Sequence, residues 1–254
     1  MRYVVLGKNG FIGRNIFDYL LARVGPRSVI GFDRKAVDFT KPSTFNHYAP
    51  EANDIIIDCI ARIDGNEQEV NEVNYAGFSR FIEYVKGTSV DFRYVYFSAY
   101  STCIPEIVNS NHYIKSKYNA EKYLTDNVKD FKIIRLLFPF GKGESKNRLI
   151  SRLIGKIKSG ETISIDRLTL NLTPITMFKE DLNRLINIPG TELNYSNNIE
   201  TYLPDVVNYM QEQMGIDRPV HITDKEFKIV VDSPFGGIHS MDEIYSEIKS
   251  MLNE

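Results

Sequence analysis

Tyr113-Ile114-Lys115-Ser116-Lys117 places a phenol and an ammonium four residues apart, and residues at that separation share one face of a helix. A free phenol, with a pKa near ~10, is a poor acid–base catalyst at neutral pH. A lysine cation beside it favours the phenolate and lowers that value. Such a pair can exchange a proton with a hydroxyl or keto oxygen. In a chain with 15 tyrosines the spacing alone is weak. It gains force only where the helix follows a strand of a nucleotide-binding sheet.

The elements that would position this pair start at the N-terminus. Tyr3-Val4-Val5-Leu6 runs into Gly7, Gly10 and Gly13, spaced G-x-x-G-x-x-G around Asn9, Phe11 and Ile12. An amphipathic segment follows, so the stretch reads as strand, tight turn and helix start. The first glycine permits turn angles closed to other residues, the second lets a pyrophosphate approach the main chain, and the third lets helix pack on strand. The helix start then offers unpaired N–H groups to the phosphates. Val29-Ile30-Gly31-Phe32 reads as a second strand ending in Asp33, twenty residues beyond Gly13. A carboxylate there can accept hydrogen bonds from the adenosine ribose hydroxyls. A dinucleotide site built on Gly7, Asn9, Gly10, Phe11, Ile12, Gly13 and Asp33 is therefore expected. Asp33 favours NAD by repelling a 2′-phosphate, whereas Arg34 could pair with that phosphate and admit NADP.

Strand and helix patterns alternate through the first half. Asp54 to Cys59 is a mostly apolar strand, 68–86 a helix with Val70, Val73, Phe78, Phe81, Ile82 and Val85 on one face, Phe92 to Ser98 a strand, 112–125 a helix, and Phe131 to Leu137 a strand. This order predicts a Rossmann-like, doubly wound α/β fold with a parallel sheet and right-handed crossovers. Ligands in such folds bind beyond the carboxyl ends of the strands, near the topological switch point. After Pro139 the periodicity weakens into helices at 146–158, 179–187, 201–214 and 241–252, with short strands at Thr162–Ile165, Pro174–Phe178 and Phe227–Val231. The expected organisation is a dinucleotide-binding domain over 1–140, to which 174–197 returns. A small C-terminal substrate lobe takes 141–173 and 198–254, with the substrate held in the cleft between the two.

Composition narrows the function classes. The chain has 254 residues, 43% of them hydrophobic, and a net charge of −2. Such a balance gives no electrostatic reason to expect nucleic acid or an anionic membrane as partner. No apolar run approaches the ~20 residues that span a bilayer. Met1 leads directly into a core strand, so no signal peptide is expected and the location is read as cytoplasmic. Cys59 and Cys103 are read as reduced thiols, Cys59 in core packing. His47, His112, His221 and His239 are scattered, and no metal site is expected.

With these motifs assembled, the chain resembles the extended short-chain dehydrogenase/reductase family of sugar-nucleotide epimerases, dehydratases and reductases, most of all its 4-keto-sugar reductase and 4-epimerase branches. The resemblance covers nearly the whole length. Besides the glycines and Asp33 it rests on Val37-Asp38-Phe39-Thr40, Val73-Asn74-Tyr75-Ala76-Gly77-Phe78, Tyr96-Phe97-Ser98, Tyr113 with Ser116-Lys117, Arg135 with Phe138-Pro139-Phe140-Gly141, and Pro174-Ile175-Thr176 ahead of Glu180-Asp181-Leu182. It implies cofactor contacts from Asp38 and Phe39 at the adenine, from Ile60, Ala61 and Arg62 after the third strand, and from Asn74, Tyr113, Lys117 and Phe138. It further implies hydride transfer between cofactor and a nucleotide-activated sugar, with Tyr113 as acid–base, Lys117 holding the nicotinamide ribose, and a homodimer formed by the helices at 68–86 and 112–125. Phe81, Tyr84 and Tyr118 are candidates for that interface, though burial in the chain's own core would serve them equally.

Two departures stand out. Where the family carries a Ser or Thr that hydrogen-bonds the reacting oxygen, this chain has Ala99. Ser98 is the hydroxyl taken as catalytic in its place, with Ser101 and Thr102 as alternatives, but a one-residue shift on a strand turns a side chain to the other face. Losing such a donor typically costs about 2.7–4 kcal/mol of transition-state stabilisation. Tyr113 also follows Ala99 by only fourteen positions, a short loop on the substrate side. Ala99-Tyr100-Ser101 lacks the extra acid and base that a dehydratase needs. The competing reading is a cofactor-binding sensor or scaffold that has lost catalysis. Asn74 could hold the backbone near nicotinamide or cap a turn. Arg135 reads as a buried ion-pair partner, Arg62 and Lys179 as exposed charges, and Lys142 is a candidate for a substrate phosphate.

Overall fold

The apolar run before the first glycine forms β1 (Arg2–Leu6), and the glycine turn delivers the chain into α1 (Phe11–Val24). Then come β2 (Val29–Phe32), β3 (Asp54–Asp58), α2 (Glu67–Asn71), α3 (Phe78–Gly87), β4 (Phe92–Ala99), α4 (Pro105–Ser110), α5 (His112–Asn127) and β5 (Phe131–Leu136). The remainder supplies β6 (Pro139–Phe140), α6 (Leu149–Ser159), β7 (Ile163–Leu170), β8 (Thr173–Pro174), α7 (Ile175–Asn187), β9 (Glu192–Tyr195), β10 (Thr201–Tyr202), α8 (Leu203–Met214), β11 (Val220–Ile229) and α9 (Met241–Leu252). This is a computed structural model, and it describes residues 1–189, 191–234 and 239–253.

The main sheet is six-stranded, in the order β2-β1-β3-β4-β5-β9. Val4 of β1 lies between Ile30 of β2 and Ile56 of β3, and both pairings are parallel. Because β2 lies on one side of β1 and β3 on the other, chain order reverses between β1 and β3, which makes their carboxyl ends the switch point. β3 is buried along its whole length and β4 over its central five residues, because both faces of a parallel sheet are covered. Rossmann-like α/β architecture follows, as the alternating pattern predicts.

The chain divides into two compact units. One comprises Met1–Arg135 with Ile186–Leu193, the other Leu136–Leu185 with Asn194–Glu254. Of the 174–197 stretch expected to return to the first unit, only Ile186–Leu193 belongs to it. The core of the first unit is unusually aromatic: Phe39, Phe45, Tyr48, Phe78, Phe81, Tyr94 and Tyr96 are all buried. The second has its own core, in which Phe140, Ile154, Leu170, Val207 and Ile248 take part, around β7 paired with β10 and β11.

Three local expectations change. The single helix expected at 68–86 is broken: α2 passes through a π-helical turn, Glu72–Gly77, before α3 begins. A π turn inserts one residue into the helical repeat, which apolar periodicity cannot register. The strand expected at Pro174–Phe178 is instead a two-residue bridge followed by helix from Ile175. Met177, Phe178, Leu182 and Leu185 are all buried there, a helical spacing that outweighs the β-branched start. Of the strand expected at Phe227–Val231, only Phe227–Ile229 is strand, the end of the longer β11. Of the interface candidates, Phe81 is fully buried in the core, Tyr84 donates to the Tyr48 carbonyl, and Tyr118 is exposed. Among the described residues, no helix is long and apolar enough to cross a membrane, and no group of three or more His, Cys, Asp or Glu could hold a metal ion.

Candidate functional site

A groove of about 370 Å³ opens at the carboxyl ends of β1, β2 and β3. Gly7, Asn9 and Gly10 line it after β1, Asp33, Arg34, Val37, Asp38 and Phe39 after β2, and Cys59, Ile60, Ala61 and Arg62 after β3, with Val73 added from the π turn. Its size is at the lower end for a small-molecule site. Cys59, expected only to pack in the core, also lines this groove, just beyond the end of β3 at Asp58.

The glycine turn is tight. Gly7 adopts φ +73°, and a Cβ on Gly13 would stand 2.2 Å from the Gly7 carbonyl oxygen. That contact is impossible for any other residue, so α1 presses directly onto the turn. Gly10 donates to the Gly7 carbonyl at 2.9 Å. As N-cap of α1 it offers no side-chain acceptor, and the first helical turn, which begins with Phe11 and Ile12, carries no acidic residue. The positive end of the helix dipole therefore meets no protein carboxylate in that turn, which favours an anion there.

Asp33 organises the end of β2. One oxygen accepts from the Lys35 and Ala36 N–H groups, both at 3.0 Å, and the other from Asn9 Nδ2 at 3.2 Å. Above all the Ala36 N–H holds its carboxyl below the usual range. Arg34, mostly exposed, reaches Asp38 at 3.3 Å. Asp38 also accepts from the Thr40 N–H and hydroxyl. Burial opposes its ionisation, but these donors outweigh burial and keep its carboxyl low. Phe39 is a core residue at 2% exposure that nonetheless forms part of the wall. Its carbonyl oxygen would lie 2.3 Å from a Cβ on Gly77, so the π turn packs against the segment after β2.

Asn74, on that π turn, ties the groove to α5. Its Oδ1 accepts from the Arg62 N–H at 2.8 Å, and its Nδ2 donates to the Arg62 carbonyl at 2.9 Å and to Ser116 Oγ at 3.1 Å. Ser116 Oγ in turn donates to the Tyr113 carbonyl at 2.7 Å. Of the two roles open to Asn74, holding backbone is the one seen. The Arg62 guanidinium pairs with Glu69 at 2.8 Å.

Tyr113 is half-buried in the first turn of α5, and Lys117 one turn later is 2% exposed. Lys117 Nζ lies 3.9 Å from the centroid of the Tyr96 ring. Desolvation lowers the Lys117 pKa to about 8, with Asp58 and Glu121 opposing the fall. Asp58 is wholly buried, and burial lifts its carboxyl to about 6 although Lys117, the Ile60 N–H and the Tyr94 hydroxyl favour its charge. The sequence assigns no role to Asp58 and marks Tyr96 only as part of a resembling strand; the signal for Asp58 is a carboxylate closing the Ile55-Ile56-Ile57 run.

Ser98 points its hydroxyl into the interior, where Oγ is buried without a hydrogen-bond partner. Ala99 follows, half-buried, at the end of β4. Thr102 Oγ1 lies 2.8 Å from both the Ala99 carbonyl and Glu121 Oε1, which commits that hydroxyl to the scaffold. Arg135 is the ion-pair partner expected, half-buried rather than buried, gripping Glu121 at 2.6–3.1 Å and reaching Glu192 at 2.6 Å. Phe138 belongs to the second unit, with φ +35°, and packs against that unit's core. In the same unit the Lys142 N–H donates to Glu247 at 3.2 Å.

The fold is shared with solved proteins. WbmH from Bordetella bronchiseptica, determined with NAD+, superposes with a TM-score of 0.81 at 16% identity over 99% of this chain and 97% of that one. RMD from Pseudomonas aeruginosa, complexed with NADPH, gives 0.79 at 14% over 100% and 99%. UDP-glucose 4-epimerase from Thermotoga maritima, with UDP-glucose, gives 0.77 at 13% over 100% and 98%. At these identities the likeness is one of fold. No curated protein matches the chain. A family model described as NAD dependent epimerase/dehydratase matches residues 3–180, which include the glycine turn, the groove and α5. The chain is therefore a member of the NAD-dependent epimerase/dehydratase family.

Proposed function

We propose that the protein is an NAD-dependent oxidoreductase or epimerase acting at a hydroxyl- or keto-bearing carbon of a nucleotide-activated sugar. The observation that carries this reading is the continuous link from groove to helix: Arg62, Asn74, Ser116 and Tyr113 joined by hydrogen bonds of 2.7–3.1 Å. The groove would hold the cofactor, with its pyrophosphate at the Gly7–Gly13 turn and its adenosine ribose on Asp33. When bound, nicotinamide supplies the hydride chemistry. Tyr113 gives or takes the proton of the substrate oxygen. Lys117, still largely charged at neutral pH, favours the phenolate of Tyr113. The second unit would form the substrate lobe, and its Lys142 is a candidate for a substrate phosphate.

Ala99 favours a second reading, a cofactor-binding sensor that has lost catalysis, because the Ser98 hydroxyl is buried in the interior and that of Thr102 is committed to the Ala99 carbonyl and Glu121. The intact Tyr113–Lys117 pair weighs against it. The test is turnover of a panel of UDP- and dTDP-linked sugars and 4-keto sugars by wild type and Tyr113→Phe. The substitution should leave fold and NAD affinity nearly intact and cut turnover by about 10²–10⁴-fold. Equal inertness of both proteins, with NAD still bound, would decide for the sensor.

A further inference from the structure

Lys117 sits in an environment that does not follow from its place on α5. Its ammonium is almost entirely removed from water, and a desolvated charge needs compensation from its surroundings. Two groups from other strands supply it: the face of the Tyr96 ring on β4, 3.9 Å from Nζ, and the charge of Asp58 on β3, the residue that strand pairing sets directly beside Tyr96. The Tyr96 hydroxyl is buried with no hydrogen-bond partner, so what the side chain offers the ammonium is its ring face, which also packs on Phe78 in the core. Burial also keeps that phenol neutral, well above its ordinary pKa. Asp58 accepts from the Ile60 N–H at 2.8 Å and from the Tyr94 hydroxyl at 3.0 Å. A neutral amide could satisfy both partners, since a tyrosine hydroxyl also accepts. What only the acid provides is a fixed negative charge in a low-dielectric interior, where charge acts strongly.

We propose that Asp58 and Tyr96 form the seat of the Lys117 ammonium and are positioning residues for the Tyr113–Lys117 pair, holding that cation charged and in place before any ligand binds. The proposal rests on the reading that this pair is the acid–base machinery. The groups that act on Lys117 are Asp58 from β3, Cys59 just after it, Tyr96 from β4 and Glu121 from its own helix. Cys59 is pushed well up by burial and stays a neutral thiol. Glu121 is already committed to Arg135 and Thr102. Asp58 is thus the carboxylate left to answer the Lys117 charge. Below about pH 6 it protonates and above about pH 8 Lys117 loses its proton, so the seat is intact in the window between.

The experiment is a pH titration of the full-length protein carrying isotope-labelled lysine, with the Lys117 side-chain resonance assigned by its loss in Lys117→Met. Asp58→Asn should move the Lys117 midpoint down by at least about one unit, a tenfold change in proton affinity. Tyr96→Leu should also lower it, whereas Tyr96→Phe, which keeps the ring, should leave it unchanged. A wild-type midpoint in Asp58→Asn or Tyr96→Leu overturns the seat; if one of these fails to fold, the other decides. NAD affinity, measured in parallel by calorimetry on Lys117→Met, reports on the underlying reading by itself. Shifted midpoints with unchanged NAD affinity uphold the seat and remove the cofactor contact. Unshifted midpoints with weakened NAD binding remove the seat and leave the contact.

Discussion

Asn74 brackets the Arg62 peptide, accepting from its N–H at 2.8 Å and donating to its carbonyl at 2.9 Å. A side-chain amide thus takes the place of a neighbouring strand for a loop that runs beyond the sheet. Asn74 is 3% exposed, so Asn74→Ala would leave both Arg62 groups and Ser116 short of a partner. An unsatisfied buried group costs about 1–3 kcal/mol. The expected outcome is a lower denaturation midpoint of that order, together with weaker NAD binding because the wall formed by Ile60, Ala61 and Arg62 loosens. Denaturant melts and NAD titration of the same sample would measure both, and unchanged NAD affinity would detach Asn74 from the groove.

Ala99 bears on how the reacting oxygen is held. Ala99→Ser places a hydroxyl at the half-buried end of β4, where the family resemblance expects a donor. Turnover on a 4-keto-sugar nucleotide should rise, by up to the 10²–10³-fold order that one oxyanion donor is worth, or at least hold steady. A fall would mean that the substrate pocket is shaped around alanine.

Cofactor choice should rest on Asp33. Its carboxyl is held low by the Ala36 and Lys35 N–H groups, so it is ionised across the neutral range and repels a 2′-phosphate. Arg34, which could attract that phosphate, is drawn toward Asp38. Wild type should therefore bind NAD more tightly than NADP, and Asp33→Asn should narrow the ratio about 10- to 100-fold, the order of a hydrogen bond to a charged group. Parallel titrations of both cofactors give the ratio directly, and tighter NADP binding by wild type would reverse the assignment.

Asp58 should leave a signature in stability against pH. Its folded-state carboxyl lies at about 6, above the ~3.9 of an unfolded aspartate. Between those values the folded protein binds more protons than the unfolded chain, so this contribution is full below the lower value and is lost as pH rises through the upper one. Lys117 runs the other way: burial has lowered it to about 8, so deprotonation relieves the folded state as pH rises above that. Urea midpoints of wild type minus those of Asp58→Asn should therefore decline from pH 4 to about 6. A flat difference would mean that Asp58 titrates as an ordinary carboxylate.

The parts of the site readable from residue order are those whose chemistry is local. The spacing of Gly7 and Gly13 encodes a turn for local reasons: Gly7 takes φ +73°, and a Cβ on Gly13 would stand 2.2 Å from the Gly7 carbonyl oxygen. Asp33 marks a strand end, and Tyr113 with Lys117 shares a helical face, because strand and helix repeats are properties of consecutive residues. The π turn at Glu72–Gly77 escaped this reading: one inserted residue leaves the apolar pattern almost unchanged, yet it lets Gly77 meet Phe39 while Asn74 reaches Arg62. The helix from Ile175 escaped it too, because its β-branched start resembles a strand until packing selects the helical face. The seat of Lys117 lay furthest out of reach. Asp58 and Tyr96 stand on neighbouring strands whose register sets them side by side, and α5 then lowers the lysine onto them. Parallel pairing and helix packing create that neighbourhood, and neither is a property of the sequence around any one of the three residues.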